Sequence, residues 1–228
     1  MSIYKRFGIY VVPQGAFYDA GAAWLGWDSA AGRRRAQPQL PGLPETVERL
    51  TQTARKYGFH GTVKPPFRLA EGKSAAGLGE AVAAFCATQP SVTIPHIALH
   101  RLGRFLALVP ATSCAALSDL AAATVQGLDG FRAPLDDAEL ARRRKSGLTD
   151  QQERLLSDWG YPYVMDQFRF HMTLTGPLAP AIAAPVEESL TAFFAPHLDQ
   201  PLVIDSLALL GEAGDGSFHL LHRYTLSG

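Results

Sequence analysis

Hydrophobic and polar positions along the chain switch repeatedly between period two and helical spacing, and the switches predict a mixed α+β fold. Arg6-Phe7-Gly8-Ile9-Tyr10-Val11-Val12 reads as a first strand stopped by Pro13, with a short helix around Ala16–Leu25. Gly32–Pro44 carries Arg33-Arg34-Arg35 and three prolines and reads as an exposed loop. In Glu45–Tyr57, Val47, Leu50 and Ala54 share a helical face that ends at Gly58. Phe59–Val63 is a strand ended by Pro65-Pro66. After it come a helix at Ser74–Thr88, strands Val92–Leu102 and Phe105–Val109 around Gly103-Arg104, and a helix at Ser113–Gln126. Beyond the charged stretch Leu135–Trp159, a strand at Phe170–Leu174 ends at Gly176-Pro177. A helix at Pro185–Phe194 and strands Leu202–Leu210 and Phe218–Leu226 complete the chain.

The order strand, proline stop, helix, hairpin therefore occurs twice. The spacing agrees: 45 residues separate His60 from Phe105, and 47 separate His171 from Phe218. Two pseudo-symmetric lobes follow, each an antiparallel sheet with helices, one at about residues 45–130 and the other at about 165–226. The N-terminal strand packs centrally, and residues 131–164 form an insertion or lid within one two-lobed domain over 1–228. Within that insertion Leu148–Trp159 is a helix with Thr149 as its N-cap.

The two equivalent strands carry rhyming phrases, Phe59-His60-Gly61-Thr62-Val63 and Phe170-His171-Met172-Thr173-Leu174. Side chains alternate across a strand, so His60 and Thr62 share one face, as do His171 and Thr173. Side by side, the strands would line a central cleft with two imidazoles and two hydroxyls. One histidine can then take a proton from an attacking oxygen while the other gives one to the leaving oxygen, opening a phosphodiester without a metal. Thr62 and Thr173 would hold the phosphoryl oxygens. Strand alternation adds Arg169, and also Lys64 if the first strand stays regular, as phosphate-binding cations.

The paired motifs and the duplicated order resemble the 2H phosphoesterase superfamily, which includes RNA 2′-5′ ligase-like proteins and cyclic nucleotide phosphodiesterases. Tyr57-Gly58-Phe59-His60-Gly61-Thr62-Val63-Lys64-Pro65-Pro66-Phe67 is similar in wording to a branch associated with bacterial phosphonate-utilisation operons. So are Trp159-Gly160-Tyr161-Pro162-Tyr163 and Phe168–Leu178. Gly61 and Val63 stand where that branch has alanine and leucine. The resemblance covers essentially the whole chain and implies a two-lobed fold with the His-x-Thr strands along a central cleft. It suggests a cyclic phosphoribosyl intermediate of phosphonate breakdown as substrate. RNA ends bearing a 2′,3′-cyclic phosphate, or a cleft that binds a phosphorylated ligand without turning it over, are the other readings of the same residues.

Composition narrows the partners. The chain is 47% hydrophobic and 18% charged, values of a globular protein, and 21 Lys+Arg balance 21 Asp+Glu. No overall field attracts a polyanion, so the expected partner is a small phosphodiester rather than duplex DNA. No run reaches the roughly 18 apolar residues of a membrane span, and the first residues lack a secretory signal, so a soluble protein of the reducing cytoplasm is expected. Cys86 reads as a core residue and Cys114 as the start of a helix. His96 and His100 have no third ligand nearby, so no metal or other cofactor is expected, and His219 and His222 read as structural. Most of Tyr4, Tyr10, Tyr161 and Tyr163 are assigned to packing and none to binding. Arg33–Arg35 and Arg142–Lys145 read as solvated faces, the alternative being reach to a substrate phosphate or nucleic acid, which gains weight for Arg142–Lys145 if the insertion is a lid. A monomer is compatible with all of this.

Overall fold

A computed structural model describes residues 3–145 and 147–228. The strands are β1 (Arg6–Val11), β2 (Trp27–Asp28), β3 (Arg33–Arg34), β4 (Gly61–Phe67), β5 (Val92–Ile94), β6 (Ile97–Leu102), β7 (Phe105–Pro110), β8 (Met172–Thr173), β9 (Leu202–Ile204), β10 (Ser206–Glu212) and β11 (Phe218–Thr225). The helices are α1 (Gly15–Leu25), α2 (Val47–Leu50), α3 (Ala75–Cys86), α4 (Ala115–Gly127), α5 (Asp137–Arg144), α6 (Asp150–Trp159) and α7 (Pro180–Leu198). Seven strands form one antiparallel sheet in the order β11-β10-β1-β4-β8-β7-β6, and the fold is α+β.

The two histidine-bearing segments are neighbours at the middle of this sheet, because β4 pairs with β8. The equivalent short strands β5 and β9 also pair with each other. These two self-pairings are what a pseudo-two-fold between the repeats produces. The halves of the sequence interleave in space. Helix α3 of the first repeat packs on β10 and β11 of the second, while α7 of the second packs on β6 of the first.

Several boundaries move for local reasons. Pro95 cannot donate to a ladder, so Val92–Leu102 divides into β5 and β6, which join different sheets. Glu45–Tyr57 holds only one α-turn. Thr51 ends it, its hydroxyl turned back onto the Val47 carbonyl at 2.8 Å, and Arg55–Tyr57 continues as a 3₁₀ turn. Helix α7 is longer than its apolar spacing indicated, with Pro180 in its first turn and Pro185 and Pro196 inside it. Strand β4 runs through Pro65-Pro66 because these two residues together face Gly8 alone, a bulge where ladder bonds are interrupted.

Phe59 anchors the first histidine to the core. Its ring is fully buried between Phe17 and Phe194, at centroid distances of 5.2 and 6.1 Å, and it lies flat against Gly21 of α1. A Cβ on Gly21 would stand 2.1 Å from the ring. Gly21→Ala is therefore expected to cost about 1–3 kcal/mol or more through overpacking, read as a lower Tm in thermal melts. An unchanged Tm would contradict this packing.

Candidate active site

The register Gly61↔Met172 places His60 opposite Thr173 and Thr62 opposite His171, all four on one face of the sheet. Each histidine thus has a threonine beside it along its own strand and another across the ladder. Close approach depends on Gly61, where a Cβ would meet the Phe170 ring at 2.3 Å.

Both imidazoles are held in the same way. Nδ1 of His60 lies 3.0 Å from the carbonyl of Gly58, and Nδ1 of His171 lies 2.8 Å from the carbonyl of Arg169. A carbonyl only accepts, so Nδ1 carries a proton in each ring, which leaves Nε2 as the nitrogen that takes up or gives away a second proton. The Thr62 hydroxyl sits 3.2 Å from Nε2 of His60 and donates to it. Gly58 has φ 72°, which turns its carbonyl toward the ring, and a Cβ there would meet Ser29 at 2.9 Å. Tyr10 stacks on His60 with centroids 4.1 Å apart, and Phe105 leans on His171 at 5.9 Å. Burial pushes the His60 imidazole down to about 4; the Gly58 carbonyl opposes this and the charge of His171 adds to it. His60 is therefore neutral at pH 7.

The groove widens into a cavity of about 610 Å³ lined by His60, Thr62, Thr173 and Thr175. A second hollow of about 580 Å³ holds His171 and the exposed Arg169. Thr62, Pro65, Phe105 and Tyr161 line both, so the two histidines face one cleft from opposite sides of a shared ridge. The Thr175 hydroxyl accepts from the backbone N–H of Leu106 at 3.0 Å, which ties the strand end in place.

Lys64 does not join this group. Tyr10 pairs with Thr62 but the adjacent Ile9 pairs with Lys64, so Val63 is an extra residue. That bulge turns Lys64 onto the opposite face, under α4. Its side chain is 2% exposed, the ammonium donating to the Val125 carbonyl at 3.0 Å and to Asp129 at 3.1 Å, while Arg132 holds the same carboxylate at 2.8 Å. The expectation that it binds phosphate is corrected accordingly.

Other groups do line the cavity. Arg6 and Tyr10 reach it from β1, Lys56 and Tyr57 from the turn before His60, and Arg142 and Arg143 from α5 of the charged insertion. The Arg143 guanidinium lies 4.8 Å above the Tyr161 ring, so this part of the insertion covers the cleft. Arg6, Gly8 and Tyr10 alternate along β1, a signal readable in the sequence. Nothing local marked Arg142 and Arg143. Among the described residues no three His, Cys, Asp or Glu side chains group to hold a metal ion, and no helix is long and apolar enough to cross a membrane.

Residues 62–219 match the protein family described as "Protein of unknown function (DUF1045)". The chain is 37% identical over 219 residues to a protein of Janthinobacterium sp. (strain Marseille) named ribose 1,5-bisphosphate phosphokinase PhnN, covering 93% of this chain and 48% of that protein. It is 32% identical over 220 residues to a protein of the same name from Laribacter hongkongensis (strain HLHK9), covering 96% and 51%. The chain spans about half the length of these relatives. Among solved structures it is similar to E. coli LigT complexed with 3′-AMP, at a TM-score of 0.48 and 13% identity over all of both chains. It is also similar to a structure described as a phosphoesterase, at a TM-score of 0.46 and 15% identity over 99% of each.

Proposed function

We propose that this chain, which belongs to the DUF1045 family, opens a small cyclic phosphodiester by two-histidine acid–base catalysis. The observation that carries the reading is the β4–β8 register. It sets two His-x-Thr pairs on one face, and in both rings the backbone holds Nδ1 so that Nε2 faces the cleft. Phosphorus would sit above the ladder between the rings. Neutral His60 takes a proton from the attacking water, whose oxygen bonds to phosphorus. As the phosphorus–oxygen bond of the ring breaks, His171 in its protonated form gives its proton to the leaving oxygen. Thr173 and Arg169 would meet the non-bridging oxygens, and Thr62, released from His60, would do the same.

The relatives' name points to a substrate. Opening a 1,2-cyclic phosphodiester of ribose 5-phosphate at O2 yields ribose 1,5-bisphosphate, the compound named for the phosphokinase. Kinase chemistry itself finds no support in this chain. Gly72-Lys73-Ser74 resembles the end of a phosphate-cradling loop, yet Phe67 stands where its first glycine belongs, and Lys73 lies over the Phe131 ring at 5.0 Å.

A pH profile of kcat/KM on this cyclic diester tests the assignment of the base. On the acid side activity requires His60 unprotonated, so it falls away as pH drops through about 4 and is retained at pH 5.5, where an ordinary imidazole is mostly protonated. An acid limb near 6.5 would contradict His60 as the base.

A further inference from the structure

The 610 Å³ cavity beside His60 has a one-sided charge. Arg6, Lys56, Arg142 and Arg143 line it, and among the described residues no aspartate or glutamate does. This occurs in a chain whose charges balance at 21 each, so it is a local arrangement rather than a general excess. Glu212, which is not among the lining residues, offsets one cation, holding Arg6 at 2.9 Å. A cyclic phosphodiester carries a single negative charge, and Arg169 already stands by His171 in the adjoining hollow. The cations on the His60 side exceed what that group needs.

Tyr10 supplies an independent sign of a ligand. Its side chain is fully buried at the cavity wall, yet its hydroxyl has no hydrogen-bond partner among the described residues. Such a group costs about 1–3 kcal/mol unless something completes it. The hydroxyl rests over Gly8, at the end of the ring pointing along β1 toward Arg6. Tyr57 and Tyr161 line the same cavity, so its wall combines cations with phenol donors. Arg143 lies in the field of both Arg142 and Arg6, with Glu139 acting against them from outside the cavity lining, and like charges brought together invite an anion between them.

We propose that this end of the cavity is a subsite for a phosphate monoester, built from Arg6, Tyr10, Arg142 and Arg143. The substrate would then carry a terminal phosphate in addition to its cyclic diester. A monoester brings about −1.5 to −2 charge and three acceptor oxygens at neutral pH, matching the donors present. Helix α5 thus belongs to the recognition surface and selects a phosphorylated sugar over an unphosphorylated one. The inference rests on the phosphodiesterase reading for its place in a reaction, but the subsite is testable alone.

The test is calorimetric titration of ribose 5-phosphate, which has the monoester and lacks the diester, into His171→Ala protein, with ribose as the control. Ribose 5-phosphate is expected to bind and ribose not. Adding Arg142→Gln or Arg143→Gln should weaken binding about 10- to 100-fold, and Tyr10→Phe, which keeps the stacked ring, about 5- to 10-fold. Binding no tighter than ribose, or unaffected by these substitutions, would overturn the subsite even if cyclic diesters are hydrolysed. Binding that follows the substitutions, in a protein that opens no cyclic diester, would uphold the subsite and overturn the catalytic reading instead.

Discussion

His60→Ala and His171→Ala are each expected to lower kcat on a cyclic phosphodiester by about 10²- to 10⁴-fold, with the fold intact. Each ring moves a proton in the same event, so the double variant should be about as slow as the slower single one. The losses should fall on kcat more than on KM, because the imidazoles act on the reacting oxygens while Thr173, Arg169 and the cavity hold the substrate. His60 also stacks on Tyr10, so a thermal melt must accompany the kinetics. A large loss for one histidine and none for the other would leave a single-base mechanism, and equal small losses would leave a binding cleft.

Asp129→Ala is expected to be the most destabilising single change outside the apolar core. It leaves the Lys64 ammonium buried against α4 with the Val125 carbonyl and the Phe67 ring but no counter-charge, and it strips Arg132 of its carboxylate partner, leaving it the Asp158 carbonyl. Removing one member of a buried ion pair costs about 3–5 kcal/mol, whereas replacing the charge by an apolar group of similar size is often neutral. Lys64→Met should therefore keep most of the stability and most of the activity, and it should restore much of the Tm lost in Asp129→Ala when combined with it. A collapse of kcat in Lys64→Met with Tm preserved would return Lys64 to the phosphate site and contradict the bulge at Val63.

The paired motifs were readable because strand alternation is a local rule and a duplicated element order says which strands are equivalent. His60, Thr62, His171 and Thr173 needed nothing more. Lys64 fails on the same rule because its orientation is decided by β1. The partner strand pairs Tyr10 with Thr62 and Ile9 with Lys64, inserting a bulge that no local pattern announces. Tyr10 was visible on a strand, but its stacking on His60 follows from β1 lying next to β4. Arg142 and Arg143 read as a solvated face because α5 has the composition of one. Long-range contacts hold that helix over the cleft: Arg143 lies on the Tyr161 ring, and Arg68 pairs with Asp136 and Glu139. Cys86 fits its reading as a core residue, since it is buried and burial pushes its thiol up to about 11.

The central claim is that two histidines, without a metal, open a cyclic phosphodiester held between them. Its most direct test is phosphorus NMR of the 1,2-cyclic phosphodiester of ribose 5-phosphate incubated with EDTA-treated protein. The cyclic diester signal should be replaced by that of a second phosphate monoester, giving ribose 1,5-bisphosphate, and should persist with the His60→Ala/His171→Ala protein. A diester signal that persists with the unaltered protein, or turnover that EDTA abolishes and added metal restores, would contradict it.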